Sequence, residues 1–141
     1  MLVIKPLTEY LKNPTKAYTG DAAWDLYSLE DCTLWTQERR TFRLGFAIIG
    51  QPGKVYITAG KSGLALKYGI HTIGNIIDNQ YRGEITVTLV NTGGTQFIVH
   101  RGDKIAQLLV QNVDDDNILQ IYDKEIEKTD RGENGHGSSG I

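Results

Sequence analysis

Between positions 84 and 91 the chain reads Glu-Ile-Thr-Val-Thr-Leu-Val-Asn. Ile85, Val87 and Leu89 fall on one side of an extended backbone, and Thr86 and Thr88 on the other. This is the period-two signature of a strand with one buried face; a helix would scatter the same residues around its circumference. Residues 2–5, 39–43, 46–49, 54–58 and 104–111 read as further strands. So do residues 95–99, which Thr92-Gly93-Gly94 is expected to join to the 84–91 strand as a hairpin. Short strands punctuated by Gly, Asn and Asp predict an all-β fold, a jelly-roll-like sandwich or barrel. Residues 118–127 have ambiguous apolar spacing and are read as a strand followed by a linker.

At 141 residues the chain is expected to form one domain, residues 1–127, followed by a glycine-rich segment, residues 128–141. That segment, KTDRGENGHGSSGI, has almost no aliphatic residues, and a flexible tail is expected. A net charge of −2 argues against binding of long nucleic acid through bulk charge. Apolar runs are too short for a membrane span, and the N-terminus shows no signal-peptide pattern. The one cysteine, Cys32, has no partner in the chain. A cytoplasmic location is expected, or a nuclear one for a eukaryotic or viral protein.

Several motif readings fail. Gly60-Lys61-Ser62 ends like a phosphate-binding P-loop, but Val55 stands where the first glycine is required. Gly135-His136-Gly137-Ser138-Ser139-Gly140 matches a dinucleotide-binding string with no helix to follow it. His71, His100 and His136 are far apart, so no zinc spacing exists. Asp114-Asp115-Asp116 reads as a solvated turn.

Five segments carry possible chemistry. Gly60-Lys61-Ser62-Gly63 combines accessible backbone N–H groups, a cation and a hydroxyl, which suits a phosphate; an ordinary polar turn is the plainer alternative. Residues 76–83 read as a hairpin, with Asp78 beside Ile77 as a candidate base or a turn-forming residue. Asp25 lies among small residues in Ala22-Ala23-Trp24-Asp25-Leu26. Gln107 is an amide within an apolar strand and must be hydrogen-bonded if buried. In the tail, Arg131, His136, Gly137, Ser138 and Ser139 supply a guanidinium, a flat ring, backbone freedom and hydroxyls suited to wrapping an anionic ligand.

Together these segments resemble the trimeric dUTP diphosphatases (dUTPases), in the order AAWDL, GKSGLA, NIIDNQYRGE, RGDKIAQLLV and RGENGHGSSG. The resemblance spans Ala22 to Gly140. It implies a jelly-roll homotrimer with sites shared between subunits and a tail that closes as a lid. It also implies Mg²⁺ and the reaction dUTP + water → dUMP + pyrophosphate, which supplies dUMP for thymidylate synthesis and limits uracil in DNA. By the resemblance, Asp78 activates the attacking water, and Tyr81 packs under the deoxyribose and excludes a 2′-hydroxyl. The backbone around Asn75 and Ile77 pairs with uracil. Lys61, Ser62, Gly63 and Gln107 contact phosphates, while Asp25 lies near the metal, through water. Arg131, Gly137, Ser138 and Ser139 belong to the lid, where His136 occupies the place of an aromatic that stacks on the base.

The sequence departs from the family pattern at Lys61, where arginine is usual, and at Asn75 and Ala23, where glycine is common. At position 136 phenylalanine is usual. Lysine keeps the charge but loses the two-pronged geometry of arginine, and Asn tolerates a positive φ better than most residues. Other readings are a dCTP deaminase, which would need a glutamate base, a protein-binding regulatory module, and an inactive β-sandwich.

Overall fold

The computed structural model describes residues 1–114, 120, 122 and 128–130. Among these, eleven strands and one short helix follow in the order β1 (Ile4–Pro6), β2 (Trp24–Tyr27), β3 (Cys32–Leu34), β4 (Arg39–Arg43), β5 (Phe46–Ile48), β6 (Lys54–Ala59), α1 (Ser62–Tyr68), β7 (Ile70–Ile73), β8 (Ile76–Asp78), β9 (Thr86–Asn91), β10 (Phe97–Val99) and β11 (Lys104–Asn112). The expected all-β class is observed. The readings at 115–119 and 123–127, and the lid residues from 131 onward, lie outside the described residues.

Two larger sheets, ordered β2-β11-β6-β8 and β4-β9-β7, are joined by two-stranded pairs β1-β5 and β3-β10. The period-two reading of β9 holds: Ile85, Val87 and Leu89 are at most 1% exposed, whereas Thr88 turns outward and shares a 2.8 Å hydroxyl contact with Thr41 across the β4–β9 ladder. A single buried cluster draws Phe42, Val87 and Leu89 from the three-stranded sheet and Leu26, Tyr56 and Leu108 from the four-stranded one. Alternation along β6 puts Tyr56 and Thr58 into this core and leaves Val55, Ile57 and Ala59 on the sheet's other face.

Two expectations are corrected, and one element is new. First, β10 does not form a hairpin with β9; it pairs with β3, Phe97 opposite Leu34, while β9 lies between β4 and β7. Asn91 redirects the chain. Its fully buried carboxamide donates to the carbonyls of Leu34 (3.0 Å) and Thr95 (2.9 Å) and accepts from the Gly93 N–H (2.9 Å), replacing the tight hairpin turn. Second, residues 76–83 are not a hairpin: β8 pairs with β6, and a turn at Asn79-Gln80, with the Tyr81 N–H donating to the Asp78 carbonyl at 3.1 Å, leads into an irregular segment through Ile85. The new element is helix α1 over residues 62–68, for which no expectation was drawn from the sequence; it ends at Gly69 in the left-handed conformation (φ 67°) that glycine tolerates without strain.

The chain changes sheets between β7 and β8. β7 pairs with β9 in one sheet and β8 with β6 in the other, with only Gly74 and Asn75 between them. Gly74 makes this corner at φ +69°, a conformation closed to most side chains.

Candidate active site

The candidate residues assemble into two groups at opposite corners of one sheet face. The first surrounds Asp25, which is 8% exposed. In the register of the four-stranded sheet, Asp25 on β2 stands opposite Gln107 on β11, and Gln107 opposite Ala59 on β6. β6 then runs into Gly60-Lys61, and the Gln107 side chain donates to the Gly60 carbonyl at 2.8 Å. That bond holds the turn from which α1 starts. Ser62 and Gly63 open the helix, and Lys61 is its N-cap. First-turn N–H groups have no acceptor within a helix.

Both oxygens of Asp25 are engaged by cations. Oδ1 accepts from the Lys61 ammonium, and Oδ2 lies 2.7 Å from Lys104 Nζ. Burial pushes the Asp25 carboxyl up, but hydrogen bonds from Lys104 and Lys61, together with their charge, outweigh it and hold the group below its ordinary range. The same bond raises the Lys104 ammonium. These groups line an open cavity of about 490 Å³ together with Ala22, Ala23 and Gln107. Asp21 lines it too, so the ammonium groups of Lys61 and Lys104 are matched by two carboxylates, and what the pocket offers an oligophosphate is their N–H donors beside the Gln107 amide.

Lys104 was not among the sequence candidates. Strict alternation would place positions 104 and 107 on opposite faces. The β2–β11 register shifts between Lys104 and Ala106, and that irregularity brings both side chains to the Asp25 corner. A basic residue three positions from Gln107 was the only sequence signal.

The second group lies on β8 and the turn after it. Asp78 is exposed at the end of β8, opposite Val55. Ile77, Tyr81 and Gly74 line a cavity of about 200 Å³ with Asp78. The Tyr81 ring folds back over Gly83, where a Cβ would sit 2.2 Å from the phenolic oxygen, and its hydroxyl donates to the Glu84 carbonyl at 3.2 Å. Only glycine at 83 permits that close approach. Asn75 accepts the Thr58 N–H at 2.9 Å through its carbonyl. β8 is an outer strand, so its far edge has no ladder partner within the sheet and leaves backbone donors and acceptors open to a ligand edge.

Asp78 is four residues along the strands and three strands across from Asp25, on the order of 19 Å between Cα atoms. A base must lie within about 3 Å of the proton it takes. One chain therefore does not bring Asp78 to a phosphate held at Lys61 and Gln107. The structure unites Asp25, Lys61 and Gln107 in one corner and Ile77, Asp78 and Tyr81 in the other. Arg131, His136, Gly137, Ser138 and Ser139 lie outside the described residues.

Among the described residues no group of three His, Cys, Asp or Glu side chains is placed to hold a metal ion. Asp25, the carboxylate expected near the metal, has both oxygens occupied by lysine. These side chains do not fit an ion caged by the protein alone.

A family model described as dUTPase matches residues 9–140. The chain belongs to the dUTPase family. It is 41% identical to the deoxyuridine 5′-triphosphate nucleotidohydrolase of Mycobacterium tuberculosis, over 99% of this chain and 94% of that one. It is 36% identical to the enzyme of the same name from Paramecium bursaria Chlorella virus 1, over 99% and 98%. The dUTPase fold is equally plain: the structure of the Staphylococcus bacteriophage 80alpha dUTPase, solved with dUPNHPP, superposes with a TM-score of 0.90 at 22% identity, over 100% of this chain and 99% of that one. A dUTPase of phage phi11 of S. aureus, described with a structural Mg(II) ion, gives 0.82 at 20% identity, over 89% and 99%.

Proposed function

We propose that this dUTPase hydrolyses dUTP to dUMP and pyrophosphate at sites completed between copies of the chain. The observation that carries this reading is the split of the candidate residues: a lysine-bearing pocket at Asp25, Lys61, Lys104 and Gln107, and the Asp78 carboxylate with the Tyr81 ring about 19 Å away. Packing of copies joins one corner to another chain's opposite corner. The face between the corners supports association, since Val55, Ile57, Leu109 and the 65%-exposed Ile76 share its outward side. The family resemblance favours a homotrimer.

In this reading the open edge of β8, from Asn75 to Ile77, pairs with uracil. Tyr81 lies under the sugar and leaves no room for a 2′-hydroxyl. Asp78 takes a proton from water attacking the α-phosphorus, a task worth about 10²–10⁴-fold in rate for a placed base. Lys61, Lys104, Gln107 and the N–H groups of Ser62 and Gly63 meet the phosphates and the charge that builds on them. Arg131, His136, Gly137, Ser138 and Ser139 close over the nucleotide. Magnesium, carried on the phosphates with retained waters, supplies charge neutralisation.

The test is pyrophosphate release from dUTP, dCTP, dTTP and UTP, with and without Mg²⁺. Only dUTP should turn over, and chelation should abolish turnover. Asp78→Asn should lose at least about 10²-fold in kcat while still binding dUTP. Equal hydrolysis of all four nucleotides, or wild-type turnover by Asp78→Asn, would overturn the reading; ammonia release from dCTP would mark a deaminase instead.

A further inference from the structure

We propose that Gly50, which lies outside all five motif segments, is a positioning residue that seats the loop bearing Asp78 and Tyr81. The inference rests on the roles proposed above for those two residues. Gly50 follows β5, and its backbone abuts Asn79, the residue directly after Asp78. A Cβ at position 50 would lie 1.9 Å from the Asn79 carbonyl oxygen, 2.6 Å from its carbon and 2.8 Å from its Cα. All three are backbone atoms, so no side-chain rotation relieves the clash.

Both sides of this contact are fixed. On one side, Ile49 donates its N–H to the Val3 carbonyl at 2.9 Å, and the Gln51 N–H donates to the Tyr56 hydroxyl at 3.2 Å. Tyr56 is 1% exposed and stands opposite Ile77 in the β6–β8 ladder, so the Gly50 segment is anchored to the strand that carries β8. On the other side, Arg82 donates to the Asn79 carbonyl at 2.7 Å and to the Tyr81 carbonyl at 3.1 Å, bracing the turn from within. The Asn79 peptide is thereby held between the Gly50 backbone and the Arg82 guanidinium. Its position sets where the Asp78 carboxylate and the Tyr81 ring stand relative to a bound nucleotide. A methyl group at position 50 moves this peptide, and misplacement of a reacting group by about 1 Å can cost 10²-fold in rate.

The experiment compares Gly50→Ala with Gly94→Ala, a glycine whose Cβ would meet nothing within 4 Å. Steady-state pyrophosphate release is measured on dUTP and UTP, and folding is checked by cooperative thermal unfolding. Gly50→Ala should lower kcat on dUTP by about 10–100-fold with KM within about threefold, because ground-state phosphate contacts lie at the other corner. Its dUTP-over-UTP preference should also shrink, because Tyr81 moves with the loop. Gly94→Ala should match the wild type.

Tyr56→Phe and Arg82→Met loosen the two anchors without adding bulk. They should lower kcat and ribose discrimination in the same direction, and they decide the matter if Gly50→Ala does not fold. A folded Gly50→Ala enzyme with wild-type kcat and ribose preference overturns the proposal. So does a loss in Gly50→Ala that only tracks its folded fraction while Tyr56→Phe and Arg82→Met behave as wild type. Asp78→Asn separates this result from the parent reading. If that variant turns over normally the base assignment fails, whereas the response of UTP discrimination to Gly50→Ala still reports the loop's seat.

Discussion

Asp25 carries two ammonium groups on its two oxygens, and this shapes how the protein responds to acid. Its carboxyl is held below the ordinary value of 3.8 by Lys104 and Lys61 against the opposing effect of burial. A depressed folded-state value contributes stability above pH 3.8, and that stability is lost as pH falls through the folded value. Asp25→Asn should therefore flatten the fall in thermal midpoint below about pH 4, which a pH series of melting curves checks. In the tail, the proposed stack on uracil leads to a second expectation. His136→Phe should bind a non-hydrolysable dUTP analogue at least as tightly by calorimetry, since base–aromatic stacking contributes about 1–3 kcal/mol and phenyl offers the larger ring. A weaker complex would refute the stack. At this scale residue type was readable and placement was not. Lys61 and Gln107 drew notice by residue type, each beside a plainer alternative, and Asp25 took its weight from the resemblance; the Lys104 half of the grip on Asp25 depends on a register irregularity that no period-two count contains.

Among the elements, alternation located the strands well. β4 is found at the residues expected, and β5, β6, β9 and β11 lie within a residue or two of their expected bounds. Partners were harder to read, because a strand's face is encoded by its own alternation whereas its neighbour is chosen by distant residues. The Thr92-Gly93-Gly94 turn looked sufficient for a hairpin, yet the buried Asn91 carboxamide diverts the chain to β3. Asn91→Ala should strand the Leu34 and Thr95 carbonyls and cost about 2–4 kcal/mol, measurable by urea denaturation. A cost below about 0.5 kcal/mol would show that water replaces those bonds. Helix α1 escaped notice for a different reason. It has seven residues and no side-chain cap, and Lys67 and Gly69 at its end are stop signals with no start signal to match them.

For the whole molecule, the all-β architecture was legible in one chain because it follows from patterning and turn chemistry. The relation between the two corners was not, because it depends on the order β2-β11-β6-β8. Mixing tests the proposed sharing of sites. Asp78→Asn and Lys61→Ala proteins should each be nearly inactive. After joint unfolding and reassembly, random association would pair an intact Asp78 corner with an intact Lys61 corner at about a quarter of the sites, and activity should return in that proportion. No recovery would confine each site to a single chain. β6 holds the lysine corner and the Asp78 corner at opposite ends of every copy. If sites are completed between copies as proposed, a newly made chain waits on its sisters before it turns over nucleotide, and at low abundance catalytic output should rise more steeply than the amount of protein.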